Sequence, residues 1–83
     1  MREVKPGIIY ELANIDGSYS QKIVFASKDA PGTTPEEVLN VLIEKLYQQQ
    51  AEIFICEIST GIEMLKSCRR ILAKTKERRH RQE

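Results

Sequence analysis

The sequence predicts an α+β fold: a short N-terminal antiparallel β-hairpin followed by a two-helix antiparallel hairpin. Three observations carry this. Two β-prone apolar runs flank an Asp-Gly turn. A helix-start signal precedes an apolar face at helical spacing. A second stripe with three- and four-residue intervals follows after a short break. The 83 residues suit one domain, 1–83, with the β-hairpin over 7–26 and the helical hairpin over 34–81. So short a chain buries a thin core. Oligomerisation or a ligand is a natural supplement.

Residues 7–13 (GIIYELA) read as the first strand, and 19–26 (YSQKIVFA) as the second. Ile23, Val24 and Phe25 are the apolar centre of the second. Between them, Asn14-Ile15-Asp16-Gly17 supplies the residue with positive φ that a tight hairpin needs. Two strands alone are marginal, so they require the helices or another subunit.

Pro31 and Gly32 punctuate the loop after the hairpin. Thr34-Pro35-Glu36-Glu37 then places a capping threonine, proline at the first helical position and glutamate at the third. Val38, Leu39, Val41, Leu42, Leu46 and Tyr47 give a wide apolar face, and the helix is expected over about 35–49. Gln48-Gln49-Gln50 marks its exit. The segment Glu52-Ile53-Phe54-Ile55-Cys56 reads either as a strand, from its alternation, or as an apolar linker folded over the β-hairpin's end. A second helix starts between Cys56 and Thr60. Its buried stripe is expected to be Ile58, Ile62, Leu65, Cys68, Ile71 and Leu72, with Gly61 inside it. Beyond Leu72 the helix is expected to project past the core.

The net charge is +1, but its distribution is uneven. Residues 1–65 hold five basic and ten acidic side chains; residues 66–83 hold eight basic and two acidic. Such a split implies that one end meets anions, or that the two ends of neighbouring subunits meet each other. Lys66, Arg70, Lys74 and Arg78 recur at four, Arg81 follows at three, and Arg69, Lys76 and Arg79 broaden the patch. Complementing the helix dipole accounts for two or three of these cations. The remainder suit phosphate recognition, because guanidinium forks grip phosphate oxygens in pairs and lysines act as point charges. A nucleobase also wants a flat side chain to stack on. Tyr47 and Phe54 are candidates, with ordinary core packing as the alternative for both.

No catalytic constellation is present: no Ser-His-Asp set, no Gly-rich phosphate loop, no paired histidines. His80 is the single histidine. Cys56 and Cys68 are twelve residues apart on one expected helix, about 18 Å, too far for a disulfide. Both are expected as reduced, semi-buried core thiols. No metal site and no cofactor are implied. The N-terminus lacks the apolar run of a signal peptide. No segment reaches the roughly 20 apolar residues of a membrane span. The expected location is the cytoplasm.

Four phrases carry a family resemblance. They are Leu42-Ile43-Glu44-Lys45-Leu46, then Phe54-x-Cys56-Glu57, then a helix with Leu65 and Leu72 in its stripe, then Lys74-Thr75-Lys76-Glu77-Arg78-x-x-Arg81. Together, over about residues 32–81, they resemble the helical-hairpin domain of phage anti-defence signal sponges, the anti-Thoeris and anti-CBASS group. The preceding β-hairpin matches the anti-Thoeris branch. The resemblance implies a non-enzymatic protein of the host-cell cytoplasm. It would bind and sequester cyclic nucleotide signals of bacterial immunity, cyclic ADP-ribose isomers or cyclic oligonucleotides, as a homo-oligomer. It implies ligand contacts at Lys74, Thr75 and Arg78, with Lys45 and Phe54 at the family's basic and aromatic positions. The chain departs from the family in three ways. Lys replaces Arg at 45 and 74, Ser59 stands for an asparagine, and the glycine-containing extension after the last arginine is absent. Two other functions fit the same ridge: a small nucleic-acid-binding protein, and a structural oligomerisation module. The few aromatics and the acidic first two-thirds argue against nucleic acid.

Overall fold

A computed structural model describes residues 1–82, and the side chains of residues 1–75. The element order is β1 (Arg2–Lys5), β2 (Ile9–Ala13), β3 (Tyr19–Val24), α1 (Pro35–Glu52) and α2 (Cys56–Gln82). The chain forms two compact units, Met1–Pro35 and Glu36–Glu83.

The first unit is a three-stranded antiparallel meander in the order β1-β2-β3. The expected hairpin is present, and an additional strand precedes it. β1 is polar (REVK) and exposed throughout, so it carries no apolar alternation. Its local signal is the turn after it. Pro6 and Gly7 occupy the centre of a turn closed by Ile8 N–H donating to Lys5 O at 2.9 Å. Gly7 has φ +74°, which that position requires. β1 is held by its cross-strand partners. Arg2 Nη2 lies 2.9 Å from Glu11 Oε2, and the Arg2 guanidinium stands 3.9 Å over the Tyr19 ring.

The β2–β3 turn falls where Asp16-Gly17 places it. Asn14 accepts from Gly17 N–H at 2.9 Å, and Asp16 Oδ1 accepts from both the backbone and the hydroxyl of Ser18. These two bonds from Ser18, side chain first, lower the Asp16 pKa. Tyr10 and Phe25 meet edge to face at 6.1 Å. The chain then returns along β3, with Ala26 and Thr33 bonded backbone to backbone. Gly32 makes this return possible: a Cβ there would lie 2.5 Å from the Phe25 carbonyl carbon.

The second unit is an antiparallel helical hairpin. α1 opens at Pro35, behind Thr34, as the capping signal requires. It runs to Glu52, one turn past the expected end, because glutamine and alanine sustain a helix. The linker is Ile53–Ile55, and it is no strand. Its apolar side chains are open: Ile53, Phe54 and Ile55 are 73%, 66% and 48% exposed. Three ties set the helix register: Asn40 to Arg69, Tyr47 to Lys66, and Gln50 to Ser59. Among the described residues only Ile43 (4% exposed) and Ile62 (3%) are buried apolar core. Ile58, Leu65 and Leu72 flank Ile62 as expected and are half-buried. Cys68 and Ile71 differ from expectation, since both are exposed. From Ile62, six and nine residues turn the helix by about 240° and 180°, away from α1. The two thiols are therefore free and exposed, not semi-buried.

Candidate functional site

The basic residues of α2 recur mostly at intervals of four, a spacing that winds slowly around the helix. An i, i+4 step advances about 40° around a helix with 3.6 residues per turn. Lys66 and Lys74, two such steps apart, thus differ by about 80°. Lys66 faces the hairpin. Its ammonium stands 5.1 Å over the Tyr47 ring and 3.6 Å from Glu63 Oε1. Hydrogen bonding with Tyr47, with Glu63 adding to it, raises the Lys66 pKa. Arg69 donates to Asn40 Oδ1 at 2.8 Å, and Arg70 donates to Ser67 Oγ at 2.8 Å. Lys66 and Arg69 therefore tie the two helices together. Arg70 is exposed, and so is Lys74 further along the helix. Among the described residues Lys74 has no ion-pair partner.

Thr75 is half-buried, and its Oγ1 donates to Leu72 O at 3.0 Å. With the proton so used, the hydroxyl keeps only acceptor capacity for a ligand. The Arg78 side chain lies outside the described residues, as do those of Lys76, Arg79 and Arg81; their backbone belongs to α2.

Lys45 is exposed on α1. It follows the buried Ile43 by two residues, about 200° of rotation, so it points away from α2. Phe54 is the most open aromatic ring of the helical unit. Tyr47, its companion in the expected stacking wall, is instead partly covered by Lys66. The linker that bears Phe54 is braced by Gln50, from the glutamine run at the end of α1. Gln50 Nε2 donates to Ile55 O at 3.0 Å and to Ser59 Oγ at 2.9 Å, while Gln50 Oε1 accepts from Ile55 N–H at 2.9 Å. Ile55 precedes the first residue of α2; its carbonyl accepts from the Ile58 and Ser59 N–H groups of the first turn, and the Gln50 amide pairs with the N–H and carbonyl of that same residue.

The hairpin does not bring these residues together within one chain. Phe54 precedes α2, and Lys74 lies eighteen residues along it, about 27 Å from its start. Among the described residues no three His, Cys, Asp or Glu side chains are grouped to hold a metal ion, and no helix is long and apolar enough to cross a membrane. No protein-family model, curated protein or solved structure matches the chain.

Proposed function

We propose that this protein binds and sequesters nucleotide second messengers of bacterial anti-phage immunity, cyclic ADP-ribose isomers or cyclic oligonucleotides, without transforming them, and that it acts as a homo-oligomer in the cytoplasm. The observation that carries this reading is two exposed, ligand-ready features at separate places on the helical unit. Phe54 is held out in solvent by a braced linker, and Lys74 is exposed beside an acceptor hydroxyl on Thr75. A cyclic dinucleotide or cyclic ADP-ribose isomer carries two phosphates and at least one base. It needs cations for the phosphates, a ring for the base and an acceptor for an exocyclic amine. Lys74, Arg78 and Lys45 supply the charge, Phe54 the ring and Thr75 the acceptor. The unequal split of charge, eight basic residues in 66–83, supports an anionic ligand.

Isothermal calorimetry against cyclic ADP-ribose isomers and cyclic dinucleotides tests this. The expected outcome is saturable binding of at least one, returned intact from the complex. Lys74→Ala should weaken it about tenfold or more, the value of one hydrogen bond to a charged group. A folded protein that binds none of the panel overturns the reading.

A further inference from the structure

One strip of α2 collects donors and cations that the helical hairpin does not consume. Ser67, Arg70 and Lys74 follow one another at steps of three and four, so each is a surface neighbour of the next, with Cβ atoms about 5–6 Å apart. Counting about 100° of rotation per residue from the buried Ile62, they fall at about 140°, 80° and 120°, within a sector of about 60°. Met64, Cys68 and Ile71 fall outside it, at about 180° to 240°.

Local contacts prepare the strip. The Arg70 side chain is exposed, yet its guanidinium has an anchor: Nη2 donates to Oγ of the half-buried Ser67 at 2.8 Å. That bond uses a single guanidinium N–H, so one two-pronged fork stays whole. Ser67 Oγ only accepts in it, and the hydroxyl proton has no acceptor among the described residues. The strip therefore offers a fork, a hydroxyl donor and the Lys74 ammonium.

The neighbouring charges leave these cations unspent. Glu63 shares the sector, at about 100° and one turn before Ser67. It is drawn to Lys66, 3.6 Å away, and the Lys66 ammonium is itself held 5.1 Å over the Tyr47 ring of α1. Glu57 lies thirteen residues before Arg70, about 20 Å along the axis. Arg70 and Lys74 have no ion-pair partner among the described residues. Nor does the helix dipole account for Arg70. Its effect is confined to the last turn, and α2 runs on to Gln82, about three turns further.

We propose that Ser67, Arg70 and Lys74 form a phosphodiester-binding strip. The free fork of Arg70 grips two oxygens of one phosphate, and the Ser67 hydroxyl donates to that phosphate. Lys74, one turn on, meets the second phosphate of a ligand that carries two. A lysine at 70 would return the charge without the fork. The choice of a cyclic nucleotide as ligand rests on the reading above; single-stranded nucleic acid presents the same phosphodiester oxygens.

Calorimetry of the full chain against the cyclic dinucleotides and cyclic ADP-ribose isomers, with single-stranded oligothymidylate as the other phosphodiester, tests the strip. Arg70→Gln is expected to weaken binding about tenfold or more, and Arg70→Lys nearly as much. Ser67→Ala should weaken it about fivefold. Lys28→Gln removes an exposed cation of the sheet unit and should change little, with helix content by circular dichroism the same in all four variants. This pattern with a cyclic nucleotide supports the strip and its ligand. The pattern with oligothymidylate alone keeps the strip, assigns it to nucleic acid and removes the sequestration reading. Cyclic-nucleotide binding that ignores Arg70→Gln, or that Arg70→Lys fully restores, overturns the strip and leaves that reading standing. Where none of these ligands binds, the sequestration reading falls, and titration with inorganic pyrophosphate followed by NMR of the ¹⁵N-labelled chain decides the strip. Saturable shifts at Ser67 and the Arg70 side chain keep it; their absence overturns it.

Discussion

Gln50 closes on the backbone of Ile55 from both ends of its amide, accepting from Ile55 N–H at 2.9 Å and donating to Ile55 O at 3.0 Å. This bidentate grip converts the α1–α2 connection from a loose apolar loop into a braced corner. It explains how three large apolar side chains stay in solvent at a defined place. A net hydrogen bond contributes about 1 kcal/mol, and Gln50 makes three. Gln50→Ala is therefore expected to destabilise the helical unit by about 1–3 kcal/mol, read from urea denaturation by circular dichroism. Gln50→Glu keeps the acceptor and loses the donors, so it should fall between.

The core of the helical unit rests on Ile43 and Ile62. Truncating a buried isoleucine to alanine costs about 2–5 kcal/mol. Ile62→Ala is expected to remove most of the helical signal at room temperature, because few other side chains are buried. Cys68→Ala and Ile71→Ala, on the outer side, should leave the helix content of the isolated chain nearly unchanged.

In the β-sheet unit, Gly32→Ala is expected to be more disruptive than either turn glycine. At Gly7 and Gly17 an added methyl meets open space and pays only the positive-φ strain, about 1 kcal/mol. At Gly32 it runs into the backbone of Phe25 and Ala26 at 2.5–2.6 Å. Comparing amide hydrogen exchange of Ala26 and Thr33 across the three variants checks this, with protection lost only in Gly32→Ala.

The Asp16 carboxylate accepts two bonds from Ser18, which lower its pKa in the folded turn. A depressed folded pKa means the unfolded chain binds the proton more readily. The turn's contribution is therefore fully present above the ordinary aspartate pKa and is lost as pH falls through the lowered folded value. The Ser18 amide resonance should titrate with a midpoint below the usual aspartate range. Asp16→Ala should abolish that titration.

If Lys74 contacts phosphate, geometry and charge separate in two substitutions. Lys74→Arg keeps the charge and adds a bidentate fork, so affinity for a cyclic dinucleotide should hold or rise. Lys74→Glu should abolish binding, and calorimetry reads both.

Sequence alone determined the elements whose signals are local. The Asp16-Gly17 turn, the Thr34-Pro35 helix start and the two helical periodicities each act over a few residues, so their positions were legible. β1 was not, because a polar edge strand has no periodicity; only Pro6-Gly7 announced it, and its partners Glu11 and Tyr19 lie in other strands. The candidates Phe54 and Lys74 could be named from residue type, and Lys45 and Thr75 from the family resemblance, but tertiary structure decided their surroundings. It turned Lys66 inward onto Tyr47, spent the Thr75 proton on Leu72, and set Cys68 and Ile71 on the outer side. The physical reason is angular. Spacings of three and four admit more than one stripe on the same helix, and only the position of the neighbouring helix selects which stripe is buried.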